Sequence, residues 1–323
     1  MHIWSEGWRS QIRRCVFKPS FLKILPSTDE QTWRRVHAGH KPGTPACRNS
    51  LSDGIGRRDR RRCIIVQVYI GTSGWVYPWW RGVFYPERLL QREWLGYYVT
   101  QFRTVEINAS FYRLPTPESL RQWRQAVPPG FLYAVKASQF ITHLKRLVPD
   151  DNSLARFLDD VARKLGPSLG PILYQLPPQM KKNATRLDEF AARLPQDLSH
   201  VFEFRNAEWF DPEIRAILER HKLSFCIHDH GGLSVPHWVT GPLSYWRFHG
   251  GREPDSSYGQ RALRPSAREM QAQIAAGHEV YAYFNNDAHG SAIRDAQALV
   301  ELMPSAPASH AQHSRTNTSR RTG

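Results

Sequence analysis

Between roughly residues 64 and 303, short apolar runs rich in β-branched and aromatic residues alternate with longer stretches of helical character. That alternation predicts an α/β fold, a parallel (β/α)8 barrel of the TIM-barrel type. Two further observations support it. The runs number eight over a span that suits eight βα units, and each ends in polar residues, as strands do where barrel loops converge. Parallel strands require crossovers, which the intervening stretches supply. A doubly wound open sheet is the alternative topology.

The eight runs, in order, are IIVQVYIG (64–71), FRTVEIN (102–108), FLYAVKA (131–137), PILYQLP (171–177), HVFEFR (200–205), LSFCIHD (223–229), LSYWRFHG (243–250) and VYAYFNN (280–286). The helical stretches are PERLLQREWLGYYVTQ (86–101), TPESLRQWRQAV (116–127), NSLARFLDDVARKLG (152–166), ATRLDEFAARLP (184–195), DPEIRAILERH (211–221), PSAREMQAQIAAG (265–277) and SAIRDAQALVELM (291–303). Pro86, Pro117 and Pro212 suit a first helical turn, Asp211 or Ser153 can cap free N–H groups, and Gly166 or Gly277 stands where a helix stops.

The remainder is a basic N-terminal arm, residues 1–63, and a short C-terminal tail, residues 304–323, both expected to be disordered. In the arm no apolar period is sustained, four prolines interrupt it, and it ends in GRRDRRR (56–62). The net charge of +15 sits mainly in these ends: residues 1–66 hold 14 Lys and Arg against 5 Asp and Glu, residues 304–323 hold 3 against none, and the middle carries +3. A nucleic-acid or acidic-surface partner would therefore be met by the arm, unless the arm is an upstream extension with a solvated basic run. Four scattered cysteines show no C-x-x-C spacing, which indicates neither a disulfide framework nor a cysteine zinc site. No run approaches the ~18 apolar residues of a membrane span and no signal-peptide order is present, so a cytoplasmic protein without a membrane partner is expected.

Side chains alternate across a strand with period two. Glu106 and Asn108 therefore share a face, as do Glu203 and Arg205, and as do Arg247 and His249. The strand ends also offer Ser73, Lys136, Gln175, His228, Asp229, Asn285, Asn286 and Asp287. Burying a charge between apolar neighbours is costly unless it is paired or used. One such pair could be a core ion pair or a loop anchor; the concentration of them at eight strand ends points to a binding or active site. After the first strand, GTSGWVYPWW brings Trp75, Tyr77, Trp79 and Trp80. These rings either stack on a sugar or base or plug the barrel end, while Gly71 and Gly74 permit a tight turn.

With these residues in hand, the chain resembles the domain of unknown function 72 family, the YecE-like proteins, over about Val66 to Met303. The resemblance rests on IGTSGW (70–75), FYP (84–86), TVEINASFYRLP (104–115), FLYAVKAS with ITH (131–143), YQLPP (174–178), FEFRNAEW (202–209), YWRFHG (245–250) and YAYFNND with HGSA (281–292). It implies a TIM barrel similar to sugar isomerases and sugar-phosphate enzymes, with no assigned activity. Carried over by residue, it adds Trp75, Tyr112 and His143 to the expected mouth. Two features depart from the family pattern: IHDHGG after the sixth run, and a shortened segment SSYGQRALRPSAREM (256–270).

The leading functional expectation is an enzyme on a small carbohydrate-like substrate, with Glu106 and Glu203 as acid and base. Lys136, Arg205 and Arg247 would hold a carboxylate, phosphate or enediolate oxygen, and Asn108, Asn285 and Asn286 would orient hydroxyls; Ser73, Trp75, Tyr112, His143, Gln175 and His249 complete the expected substrate contacts. An isomerase needs a base beside a carbonyl and a cation for the oxyanion; a glycosidase would instead set two carboxylates ~5–9.5 Å apart. A narrower idea is a Schiff base on Lys136, against an ion pair of Lys136 with Glu106 or Glu203. A divalent metal has material in Glu106, His143, Glu203, His228, Asp229, His230 and His249 but no H-E-x-x-H, and no metal ligand set is expected. The rival classes are nucleic-acid binding or processing through the arm and the mouth aromatics, and a non-catalytic barrel that serves as a binding module.

Overall fold

The computed structural model describes residues 67–148, 151–250 and 257–303. The expectations for the basic arm and for the tail after residue 303 lie outside the described residues.

Eight parallel strands form a nearly closed barrel: β1 (Val68–Thr72), β2 (Thr104–Ile107), β3 (Leu132–Lys136), β4 (Leu169–Gln175), β5 (His200–Glu203), β6 (Ser224–His228), β7 (Leu243–Phe248) and β8 (Glu279–Phe284). Each pairs with its sequence neighbour and β8 returns to β1, so seven ladders run from β2 round to β1. The remaining seam, β1 against β2, is joined by one bridge, Ser73 to Glu106.

A tyrosine does the work of a ladder at that seam. The buried Tyr98 hydroxyl accepts from the Thr72 N–H at 3.0 Å and donates to the Thr104 carbonyl at 3.1 Å, linking the two backbones. Gly71 allows it: a Cβ there would lie 2.2 Å from the Thr104 carbonyl oxygen. Gly71 thus serves close approach within a strand rather than a turn, whereas Gly74, at φ +102°, does make the turn.

The helices are α1 (Trp94–Tyr98), α2 (Ala109–Tyr112), α3 (Pro117–Gln125), α4 (Asp151–Phe157), α5 (Ala184–Ala191), α6 (Pro212–Arg220), α7 (Gly259–Ala275) and α8 (Ser291–Leu302). Local signals place several of them. Thr116 accepts from the Ser119 N–H ahead of Pro117, and Asp211 accepts from the Glu213 N–H ahead of Pro212. Two starts differ from the sequence reading. Pro86 opens no helix but a single turn, closed by the Leu89 N–H on the Pro86 carbonyl at 3.0 Å; the Leu90 N–H is then taken by the Glu93 carboxylate, and Trp94 stacks on Tyr85 at 4.6 Å. In contrast α7 begins six residues before Pro265, because Asp295 of α8 accepts from the Tyr258 and Gly259 N–H groups and caps it from another helix.

Inside the barrel stand Tyr69, Ala134, Leu173, Val201, Cys226, Leu243, Tyr245, Tyr281 and Tyr283. Branched aliphatics usually fill such interiors. Here four tyrosines occupy the β1, β7 and β8 side, with Tyr69 stacked on Tyr281 at 4.7 Å. Their hydroxyls need partners once buried, and two reach polar groups across the barrel: Tyr283 bonds Thr104 at 2.6 Å and Tyr245 bonds Glu106 at 2.7 Å.

Candidate active site

The strand alternation that turns Ala134, Val201, Cys226 and Tyr245 inward also turns Lys136, Glu203, His228 and Arg247 inward, one step nearer the C-terminal ends. Arg247 lies at the centre. Its Nη2 donates to Glu106 at 2.8 Å and its Nη1 to Glu203 at 2.7 Å, so one guanidinium binds both carboxylates expected to act as acid and base. Neither glutamate has any solvent exposure, and Arg247 has 2%.

The other carboxylate oxygens are taken as well. Glu106 receives the Ser73 hydroxyl at 2.7 Å and the Tyr245 hydroxyl at 2.7 Å. Glu203 receives Arg205 Nε and, weakly, the Cys226 thiol at 3.8 Å. Burial alone would raise the Glu203 carboxyl pKa, but Arg205 and Arg247 outweigh it and hold the group well below the usual carboxylate range. For Arg247 the balance is similar: burial works against its charge, and Glu106 and Glu203 more than restore it. Arg247 Nε is a buried donor of this network without a partner among the described residues; with its charges paired such a network is tolerated in a dry interior, whereas a half-paired one is not.

Arg205 extends the network toward the mouth. Its Nη2 donates to His249 Nε2 at 3.1 Å. A guanidinium only donates, so Nε2 accepts and the His249 proton sits on Nδ1, which lies 3.2 Å from the Asn285 amide nitrogen; exchanging that amide's oxygen and nitrogen gives the Nδ1–H an acceptor. The His249 backbone N–H in turn binds Asp229 at 2.8 Å, and Tyr258 donates to the other Asp229 oxygen. Burial and the neighbouring Arg247 keep His249 neutral, its pKa well below the ordinary value.

Lys136 stands apart from this network. Among the described residues no carboxylate pairs with it, and its ammonium lies 4.2 Å from the centre of the Phe111 ring. The expected ion pair with Glu106 or Glu203 does not form, because Arg247 and Arg205 occupy those oxygens. Burial, and then Arg247, bring the Lys136 pKa down to about 7, against the opposing pull of Glu203 and Glu106. His143 packs edge-on to the same Phe111 ring at 4.8 Å and bonds Thr142 through Nδ1 at 2.9 Å; burial and then Lys136 lower it to about 4. Asn108, next along β2 from the carboxylate, keeps a buried side-chain oxygen with no partner among the described residues. Tyr112, Phe140 and Leu144 are exposed on the loops after β2 and β3. Phe140–Leu144 is a π-helical turn, a form that frequently accompanies functional sites.

Several expected site residues are placed elsewhere. Trp75 is buried and meets Trp123 of α3 edge-on at 5.3 Å. Asn286 faces outward from β8, buried, and donates to Asp295 at 2.7 Å. Gln175 donates to the Leu176 carbonyl at 3.1 Å, alongside the β5 end. Of the aromatics after β1, Trp80 is buried, and Tyr77 packs on Trp80 at a tilt, with ring centres 4.7 Å apart, and donates to the Ser73 carbonyl. Trp79 is exposed, but its indole N–H is anchored on Asp287 at 2.8 Å, where the Trp80 N–H also binds. Burial lifts the Asp287 pKa to about 7 even so. The plug reading accounts for this segment better than a stacking platform does.

Sequence reasoning missed Tyr245, Cys226, Phe111 and Tyr258. Tyr245 was open to inference, since it precedes Arg247 by two residues on one strand. Phe111 and Tyr258 carried no local signal. Among the described residues no group of three or more His, Cys, Asp or Glu is placed to hold a metal ion, and no helix is long and apolar enough to cross a membrane.

A family model described as "Protein of unknown function DUF72" matches residues 69–319, which takes in every strand and the whole charge network. The chain belongs to the DUF72 family. UPF0759 protein YunF of Bacillus subtilis is 26% identical over 270 residues, covering 73% of this chain and 94% of its own length. UPF0759 protein YecE of Escherichia coli K12 is 28% identical over 144 residues, covering 44% and 50%. A DUF72 protein of Thermotoga maritima superposes with a TM-score of 0.61 at 26% identity, covering 73% of this chain and 98% of that one. For a DUF72 protein of Enterococcus faecalis the TM-score is 0.62 at 18% identity, covering 73% and 95%, a likeness of fold. None of these names a DUF72 substrate.

Proposed function

We propose that this DUF72 barrel is an enzyme that works at the carbonyl group of a small carbohydrate-like or sugar-phosphate substrate, with Lys136 as the reacting group. The observation that carries the reading is the partition of charge: Arg247 and Arg205 hold both inward carboxylates, and Lys136 is left as a cation without a carboxylate at the mouth. A lysine whose pKa is brought to about 7 has a free amine at working pH, which is what chemistry beside a carbonyl requires.

In this reading Glu106 and Glu203 are positioning residues. Their oxygens are fully occupied and dry, so they orient Arg247 and Arg205 and leave the proton transfers to Lys136. Glycoside hydrolysis loses ground for the same reason, since it needs one carboxylate on each side of a sugar and here a guanidinium lies between them. Arg205, held in place by His249, can donate to a substrate oxygen, and Asn108 offers an unused acceptor for a hydroxyl. The exposed rings of Tyr112 and Phe140 suit the apolar face of a sugar.

The test is ligand-induced stabilisation of the full chain by sugars and sugar phosphates, compared with Lys136→Met. A ligand at 100 times its Kd adds ~2.7 kcal/mol. A sugar phosphate that raises the Tm of the wild type, with a smaller response in Lys136→Met, supports the reading. Equal responses in both proteins would remove Lys136 from the site.

A further inference from the structure

A free amine can do two things at a carbonyl: remove the neighbouring proton, or add to the carbonyl carbon. We propose that Lys136 adds, forming an imine with small carbonyl compounds that carry a carboxylate or phosphate, and that Arg205 holds that anionic group. This rests on the preceding reading that Lys136 is the reacting group, and it names the bond formed and the class of substrate.

The surroundings of the amine favour addition. Lys136 Nζ lies 4.2 Å from the centre of the Phe111 ring, with no hydrogen-bond acceptor or carboxylate engaging it among the described residues. The ring face is the contact that stabilises an ammonium in that place, with Glu203 and Glu106 acting on it only through their charge. A protonated imine carries its charge on the same nitrogen, and its flat C=N unit can lie along the ring. The nucleophile's resting cation and the covalent product therefore share one stabilising contact. A bound carboxylate would have tied the lysine down as a permanent ammonium, and the Arg247 and Arg205 pairings prevent that.

The step balances with water as the only by-product. The Lys136 nitrogen lone pair attacks the carbonyl carbon, the C=O electron pair moves to oxygen, and a proton passes from nitrogen to that oxygen to give the carbinolamine. The hydroxyl takes one further proton from solvent and leaves as water, and the nitrogen lone pair closes the C=N bond of the protonated imine. His143, neutral and packed on the same Phe111 ring, is an imidazole placed to shuttle the first proton. Asn108, with its unused side-chain oxygen, can accept from the carbinolamine hydroxyl.

Arg205 supplies the requirement for an anion. Its Nε and Nη2 are engaged by Glu203 and His249, which fixes the guanidinium plane, while Nη1 has no hydrogen bond among the described residues. It is close enough to Lys136 to lower the lysine's pKa through its charge. A guanidinium anchored on one edge and free on the other is well suited to a carboxylate or phosphate.

The experiment is reductive trapping on the full chain at pH 7. Glycolaldehyde phosphate, glyoxylate and uncharged glycolaldehyde are each presented with cyanoborohydride, and adducts are located by peptide mass mapping. At this pH an ordinary lysine has far less than 1% free amine, so a free-base advantage on the order of 100-fold or more is available to Lys136. The expected result is labelling of Lys136 at least ~10-fold faster than Lys145, Lys164, Lys182 or Lys222, with both anionic probes ahead of glycolaldehyde, and no site-selective adduct in Lys136→Met. Labelling of Lys136 no faster than the surface lysines overturns the inference, and equal labelling by charged and uncharged probes overturns the role of Arg205. A parallel measurement of the Lys136 amine's titration, by its acetylation rate against pH, separates the two levels. Titration near pH 7 without trapping sinks the imine and keeps the reading of Lys136 as a base; titration at the ordinary lysine value sinks both.

Discussion

The two sides of the barrel mouth handle charge in opposite ways. On the β5–β7 side, with Glu106 reaching in from β2, every charge is dry and paired with an opposite one: one guanidinium between two carboxylates, a second guanidinium behind it, and two hydroxyls on Glu106, with Arg247 Nε left without a partner among the described residues. On the β2–β3 side, Lys136 packs on an aromatic ring with no carboxylate in direct contact among the described residues, His143 is held neutral, and Tyr112, Phe140 and Leu144 are exposed in the segments that follow β2 and β3. The difference teaches that charge at strand ends is not one signal. A saturated network rigidifies a floor, and the group it leaves unanswered is the one free to react.

The sharpest way to break the comparison is Arg247→Met. It leaves Glu106 and Glu203 buried with too few cations, so a loss of about 3–5 kcal/mol is expected in denaturant unfolding. Adding Glu106→Gln to Arg247→Met should recover part of that loss; full additivity of the two substitutions would show that the carboxylates and the guanidinium are energetically independent. Tyr245→Phe comes next. It deletes one hydroxyl from a buried carboxylate, for which about 1.5–3 kcal/mol is expected, and a melting curve identical to wild type would mean that Glu106 needs no third donor.

On the opposite side the sign reverses. The folded pKa of Lys136 is about 7, below its ordinary 10.5. Below pH 7 the amine is charged in both folded and unfolded chains, and the whole cost of burying it is present. Between pH 7 and about 10.5 the unfolded chain binds a proton that the folded chain does not, so wild-type stability from this group rises with pH. Lys136→Met is therefore expected to gain most over wild type at pH 6, and that advantage to shrink by up to about 5 kcal/mol toward pH 10.5, from about 1.4 kcal/mol for each pH unit between 7 and 10.5. A constant difference across that range would show that the amine titrates normally. The smallest effect belongs to Tyr112→Ala at the exposed rim, expected within about 0.5 kcal/mol in stability while weakening any sugar ligand found in the screen.

Much of the fold was legible because it depends on local periodicity. All eight strands appear where β-branched and aromatic runs occur, and Pro117, Asp211 and Pro212 act where their φ preference and capping chemistry place them. Period two likewise brought Glu106, Glu203, Arg205, Arg247 and His249 to one interior. Where the reading failed, distant residues had intervened: Asp295 starts α7 before Pro265, Tyr98 completes the β1–β2 seam, and Trp75 and Asn286 belong to packing outside the mouth.

By itself, then, the sequence determined the barrel, its family and the set of polar residues that reach its C-terminal end, since alternation, capping and motif spacing are written along the chain. Which carboxylate meets which cation was decided only in three dimensions. Glu106, Glu203 and Arg247 come from three strands separated by up to 141 residues, and the competition among Arg247, Arg205 and Lys136 for two carboxylates depends on reach and orientation across the barrel. That competition left Lys136 packed on Phe111 with no carboxylate in direct contact among the described residues, and with it an amine at the mouth that Glu203 and Glu106 support only from a distance.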